Sequence, residues 1–337
     1  MIEIDGAAGE GGGQVLRNAL ALSLITGEAF HITDIRGRRS KPGMMRQHVT
    51  ALEAACEIGS ATADGMAIGA GELTFRPGRV RAGDYHFAVG SAGSATLILQ
   101  TVLLPLALVT GSSRLVLEGG THNTMAPPFE FLRDTFLPLI NRMGPQVTAR
   151  LVRHGFYPRG GGRIEVMIEP APLRPFTGME RGELRTRAAR ILFTGIPFSI
   201  AERMRVQARQ CLPEWPQNGF AIHRLPDEQG PGIILLLTVE HAHVAEVVSA
   251  CGRLGVSAEK LASNAATHML GYLRKDVFAG PHLADQLVMP LALAGGCFTT
   301  VKPGSHSLTA ARIARMFTGR RLAFRQTDGH LHQFVAD

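Results

Sequence analysis

A chain of 337 residues, 45% hydrophobic and 19% charged, has enough apolar content for a sizeable core and suits one large domain or two. It has no run of 18 uncharged apolar residues, no basic or apolar leader over residues 1–6, and four scattered cysteines without a CxxC pair. These features argue against a membrane span, export and a zinc ribbon, and fit a reducing cytoplasm. The formal net charge of +7 rests on 35 basic residues, of which four are lysine; arginine's planar fork suits phosphate, so a polyanionic partner fits without being identified.

In chain order, Gly9-Glu10-Gly-Gly-Gly13-Gln14 leads into a helix carrying Arg17, which closes at Leu22-Ser-Leu-Ile-Thr-Gly27. A strand follows over 30–35, then the basic loop Arg36-Gly-Arg38-Arg39-Ser-Lys41 and a helix from Pro42 to Gly59. Gly90-Ser-Ala-Gly-Ser94 opens a helix carrying Gln100, which ends at Leu106-Ala-Leu-Val-Thr-Gly111. The strand Arg114–Glu118, the loop Gly119-Gly-Thr121-His122-Asn123 and a helix from Pro127 to Gly144 come next. His154-Gly-Phe-Tyr-Pro158-Arg-Gly160-Gly161-Gly162-Arg163-Ile164 must turn sharply or lie close against something, before a strand over 163–169.

These segments repeat. Gly27 and Gly111 stand 84 positions apart, and Pro42 and Pro127 stand 85 apart. A third copy closes at Leu291-Ala-Leu-Ala-Gly-Gly296, continues through a strand over 298–301, and reaches the loop Pro303-Gly-Ser-His306. It arrives about 100 residues late. The expected class is therefore α/β (α+β). Three repeated strand–helix–strand–helix sheet units form one large domain (1–182 and 277–337), interrupted by a smaller inserted α/β domain (183–276). Inside the insert, 233–239 reads as a buried strand and 257–273 as a helix. If the copies pack about a pseudo-threefold axis, the basic loop, the polar turn after residue 119 and His306 should meet at one end.

No G-x-x-x-x-G-K-[ST] and no K-x-D-G occurs, which sets aside a P-loop and a lysine-adenylate mechanism. The pairs His241/His243 and His330/His332 lack an accompanying carboxylate–cysteine set and read as solvated strand positions rather than metal ligands. Glycine-rich helix starts expose backbone N–H groups and are natural anion sites, here beside arginines.

Over nearly its full length the chain resembles the RNA 3′-terminal phosphate cyclases. The resemblance is carried by Asp5-Gly6, Gly9–Gln14 and Arg17; by Ile35-Arg36, Lys41-Pro42-Gly43 and Arg46-Gln47-His48; by Gly90–Ser94 and Gln100-Thr101. It continues through Gly119-Gly-Thr121, Asn123, Ala126-Pro127-Pro128, the HGxxPxGGG segment, Leu283-Ala-Asp285-Gln286-Leu-Val and Pro303-Gly-Ser-His306. It implies an ATP-dependent ligase-type reaction with His306 as nucleophile, forming covalent histidyl-AMP and then RNA(3′)pp(5′)A before closing a 2′,3′-cyclic phosphate. Neutral imidazole suits that role near neutral pH, and phosphoryl transfer needs dense positive charge.

By the same resemblance Arg17, Arg36 and Arg39 hold phosphates, and Glu10 and Asp285 orient the metal or the histidine. Gln100 and the stretch His282, Leu283, Ala284, Asp285 and Gln286 contact ATP, Pro127 and Phe131 wall the adenine, and Gln47 and His48 complete the pocket. ATP with Mg²⁺ or Mn²⁺ is the implied cofactor set, without identified metal ligands, and RNA bearing a 3′-terminal phosphate is the implied partner. No membrane association is expected. The insert's role is left open between RNA binding, stabilisation and a homodimer contact. His282 and His122 depart from the family pattern, where tyrosine and an acidic residue stand in a relative. Two rival readings are a non-catalytic, cyclase-like ribosome-assembly protein, disfavoured by His306, and an enolpyruvyl-transferase-like enzyme.

Overall fold

The computed structural model describes residues 1–329 and 331–337; the reading of His330 lies outside them. The first unit runs β1 (Ile2–Asp5), α1 (Gly13–Thr26), β2 (Phe30–Thr33), α2 (Arg46–Gly59), β3 (Thr62–Asp64) and β4 (Leu73–Arg76). The second runs β5 (Asp84–Ala88), α3 (Ala95–Ala107), β6 (Ser113–Gly119), a π-helical turn (Phe131–Phe136) continuing into α4 (Leu137–Arg142), β7 (Gln146–Arg153) and β8 (Gly162–Glu169). After β9 (Phe176–Gly178) come β10 (Leu184–Thr194), α5 (Phe198–Cys211), β11 (Phe220–Arg224), β12 (Gly232–His241), β13 (Ala245–Cys251) and α6 (Ala258–Leu273). The chain finishes with α7 (Pro281–Ala294), β14 (Gly296–Thr300), α8 (Ser305–Thr318), β15 (Leu322–Asp328) and β16 (Leu331–Ala336).

The chain is a mixed α/β protein. Three of its four-stranded sheets share one connectivity: β1-β2-β4-β3, β5-β6-β8-β7 and β9-β14-β16-β15. In each the first pair is parallel and the next two are antiparallel. The helices close a ring, because α2 packs on α3, the π turn on α7, and α8 on α1. The fourth sheet, β11-β10-β12-β13, falls between the first strand and first helix of the third unit.

Side-chain alternation explains why the run 233–239 is apolar throughout. Ile234 and Leu236 on one face of β12, with Leu192 of β10, join the main core. Leu235 and Leu237 on the other face, with Ile191, pack on Met204, Ala208, Ala265 and Met269 of α5 and α6. A strand buried on both faces cannot afford polar residues at alternate positions.

Three boundaries differ from the sequence reading. The strand expected to reach residue 35 stops at Thr33, because Asp34 and Arg36 take left-handed backbone (φ 49° and 57°) that no strand continues through. α2 begins at Arg46 rather than Pro42: Gly43 turns at φ 80°, and Met45 caps the helix with its N–H on His48 Nδ1. The helix expected from Pro127 opens as the π turn, wider than an α-helix. His241 is corrected as well. It is buried at 6% exposure with its ring edge-on to Tyr272, because β12 faces α6 there. His243 is exposed, and His332 is half-buried on β16.

The glycine triplet behaves as its composition demands. Gly160 and Gly161 sit at φ 69° and 73°. A Cβ on Gly160 would stand 2.7 Å from the Ser91 carbonyl oxygen and 2.8 Å from Ala92 Cα, both backbone atoms that cannot step aside. Gly160→Ala is therefore expected to destabilise the fold by about 1–3 kcal/mol, read as a lowered Cm in urea unfolding; an unchanged midpoint would contradict this close approach.

Candidate active site

One cavity of about 530 Å³ opens where the three units meet, lined by residues of α1, α2, α3, α7, α8 and the loop before the π turn. Its polar side carries Glu10, Gln14, Arg17, Asn18, Arg36, Arg39, Gln47, His48, Gln100, His282, Asp285, Gln286 and His306. Its apolar side includes Leu97, Leu103, Pro127, Phe131 and Met289.

His306 is the second residue of α8, exposed to the cavity. Its Nδ1 lies 2.9 Å from Gln14 Oε1. An amide oxygen can only accept, so Nδ1 donates here, and in the neutral ring Nε2 is the nitrogen that keeps its lone pair. Gln14 belongs to the first turn of α1, whose start is braced by Glu10: Glu10 Oε1 accepts the Gln14 N–H at 3.4 Å, and the Glu10 N–H donates to Thr309 Oγ1 at 2.9 Å. That second bond joins the glycine-rich segment before α1 to α8.

The arginines enter from two directions. Arg17 stands one turn into α1; burial pulls its pKa down to about 10, opposed by Glu10, so it remains a cation at neutral pH. Arg36 donates from Nη1 to the carbonyls of Lys41 and Gly43, each at 2.7 Å, which fixes the loop. Burial and the Arg39 charge lower its pKa, with Glu10 opposing them. Arg39 pairs with Glu10, whose side chain is 3% exposed. Gly12 and Gly13 make room for this crowding, since a Cβ would meet Arg39 at the first and His48 Nε2, 2.2 Å away, at the second.

His48 is both structural and at the site. Its Nδ1 accepts the Met45 N–H at 3.1 Å, and it is 3% exposed. Burial, then the charges of Arg17 and Arg36, drive its pKa down to about 3, so it stays neutral at any working pH. Gln47 Oε1 accepts the Ser94 N–H at 3.1 Å, coupling α2 to the glycine-rich start of α3. Gln100 donates to Gln286 across α3 and α7. Asp285 accepts from Ser307 Oγ; burial pushes its carboxyl up to about 6, although Ser307 and His306 pull the other way.

The basic loop and His306 thus share one cavity, whereas the second loop contributes Thr124, Met125, Ala126 and Pro127 rather than His122, which is 1% exposed and faces elsewhere. Leu283 and Ala284 do not reach the cavity either: they are buried in the main core, because α7 turns His282, Asp285 and Gln286 outward and its intervening residues inward. Sequence reasoning missed Asn18, Val247, Val248, Ser249 and His268 on the wall. The last four come from β13 and α6 of the fourth sheet. Only His268, a polar residue on an expected helix, left a local signal. Asn18 Nδ2 is buried without a hydrogen-bond partner among the described residues, a donor that a bound ligand would satisfy.

α7 is held from the fourth sheet by Glu246 of β13, whose Oε2 accepts the Gly280 N–H at 3.3 Å. Burial pushes this carboxyl from its ordinary 4.5 up to about 8. The folded chain therefore holds a proton that the unfolded chain releases near 4.5, and this contribution to stability is lost as pH rises through about 8. Glu246→Gln should flatten the fall of Tm between pH 5 and 8 (roughly the window set by that shift). Parallel wild-type and variant curves would refute it.

The RNA 3′-terminal phosphate cyclase family profile matches residues 8–324. An RNA 3′-terminal phosphate cyclase of Koribacter versatilis (strain Ellin345) is 47% identical over 319 residues, covering 94% of this chain and 90% of the relative. Another, from Pseudomonas aeruginosa (strain UCBPP-PA14), is 46% identical over 336 residues, covering 99% and 98%.

Proposed function

Because this chain belongs to the RNA 3′-terminal phosphate cyclase family, we propose that it converts an RNA 3′-phosphate to a 2′,3′-cyclic phosphate at the cost of ATP, through adenylylated His306. In the first step His306 Nε2 attacks the α-phosphorus of ATP and pyrophosphate leaves. A 3′-phosphate oxygen of RNA next attacks the phosphorus of histidyl-AMP, freeing His306 and forming a 3′–5′ pyrophosphate link. The vicinal 2′-OH then attacks the former 3′-phosphate, AMP departs, and the cyclic ester closes.

The observation that carries this reading is the cavity's two-sided character around His306. Arg17, Arg36 and Arg39 gather cationic charge on the side where His306 stands, while Leu97, Pro127 and Phe131 offer an apolar surface for a base. Gln14 holds the imidazole by Nδ1, which in the neutral ring leaves the Nε2 lone pair free, and the starts of α1 and α8 add backbone N–H groups suited to phosphate oxygens. Glu10 and Asp285 present the hard carboxylate oxygens that suit a divalent cation; they would hold Mg²⁺ or Mn²⁺, which would supply charge neutralisation to the ATP phosphates. Asn18 Nδ2 is an unused donor on the same wall.

No helix among the described residues is long and apolar enough to cross a membrane. The cysteines are free, which supports a cytoplasmic setting. Incubation with α-labelled ATP tests the scheme: protein-bound label that is labile to acid and stable to alkali is expected of a phosphoramidate. Failure to label protein that is competent in cyclisation would exclude the histidyl route.

A further inference from the structure

Away from the cavity, His122, Glu130 and His154 gather into a second cluster. One nitrogen from each imidazole and one oxygen of the carboxylate lie within 4.8 Å of one another. His122 and Glu130 are 1% and 3% exposed, and His122 Nε2 meets Glu130 Oε2 at 2.8 Å. His154 is half-buried and stacks on His122 with ring centroids 5.2 Å apart.

Both rings are also gripped from behind. His122 Nδ1 lies 2.7 Å from Thr121 Oγ1, which accepts the Gly155 N–H at 2.9 Å. His154 Nδ1 lies 3.0 Å from Gln229 Oε1. Oxygen partners on the outer nitrogens fix the orientation of imidazoles that ligate metals. Two imidazoles and a carboxylate drawn out of water together form a costly arrangement, and the His122–Glu130 contact alone does not call for a second ring beside it.

We infer that His122, Glu130 and His154 bind a transition-metal dication, with Zn²⁺ best matched to two nitrogens and one carboxylate oxygen. Three protein ligands leave a fourth position for solvent on the half-exposed His154 side. Binding puts the metal in place of the proton shared by His122 Nε2 and Glu130 Oε2, with a neutral His122 donating its Nδ1–H to Thr121 Oγ1. The three ligand atoms then draw in toward about 3.4 Å separations, which bonds of about 2.1 Å at tetrahedral angles require.

The placement gives such an ion a mechanical role. Glu130 directly precedes Phe131 of the cavity wall, His154 opens the glycine-rich segment that packs on Ser91 and Ala92, and Gln229 belongs to a turn beside the fourth sheet. One ion would tie all three together.

The test uses purified full-length chain, stripped with a chelator and titrated with Zn²⁺ against a chromophoric competitor, and with Co²⁺ followed by its ligand-field absorption. The expected result is one equivalent per chain, a tetrahedral-type Co²⁺ spectrum and a Zn²⁺-dependent rise in Tm. His154→Ala should weaken Zn²⁺ binding by roughly 100-fold or more, since loss of an outer partner alone can cost that much. His268→Ala and His306→Ala should bind normally, which separates this site from the cavity. If His122→Ala does not fold, His154→Ala decides alone, because its side chain is half-exposed. Retention of the equivalent in His154→Ala, or absence of stoichiometric binding by either metal, overturns the proposal.

Discussion

His306→Ala is expected to acquire no AMP, whereas the wild-type chain after exposure to ATP should gain the mass of one adenylyl group. Cyclisation should fall by about 10⁴-fold or more, the scale on which enzymes lose activity when their covalent nucleophile is removed. The side chain is exposed at the start of α8, so its truncation opens no cavity in the core and Tm should hold. Among the described residues its side chain hydrogen-bonds Gln14 Oε1 at 2.9 Å. Gln14→Ala should accordingly slow adenylylation without abolishing it, because the ring loses its orientation and keeps its lone pair. An adenylylated His306→Ala protein would move the nucleophile elsewhere.

Arg36→Ala and Arg39→Ala should each lower kcat/KM by about 10²- to 10³-fold, the effect of removing one donor aimed at developing charge. The two variants should differ in stability. Arg36 is half-buried and braces its own loop through the Lys41 and Gly43 carbonyls, so its loss loosens that loop locally. Loss of Arg39 leaves Glu10, with its side chain 3% exposed, as a buried carboxylate without its cation, and this should lower Tm as well as activity. Measuring kcat/KM and Tm together separates the two effects. Full activity in both variants would remove these arginines from the mechanism.

Some residues that line this cavity could be read from local pattern, and most of the others only from the family resemblance. Gly9–Gly13 and Gly90–Ser94 each precede an apolar-periodic run and so mark helix starts, and both starts reach the cavity wall through Gln14 and Gln47. The shared spacing of the repeats anticipates that Arg36, Arg39 and His306 belong to one place. What was not legible depends on packing between segments far apart. Val247, Ser249 and His268 reach the cavity because β13 packs on the π turn and α6 packs on β13, and nothing in their own neighbourhoods records that contact. Leu283 and Ala284 share a motif with cavity residues, yet helical geometry turns them inward. His241 alternates with His243 as a surface strand would, and is covered because a helix lies over one face of β12.

The bond between His306 and Gln14 spans 292 positions. The proposed nucleophile and the amide that would align it are thus made far apart in synthesis. A product ending before α8 would carry most of the cavity's lining and lack the proposed nucleophile. Under the proposed mechanism, adenylate transfer would require α8 to dock on α1, so activity would report that these two distant segments have come together.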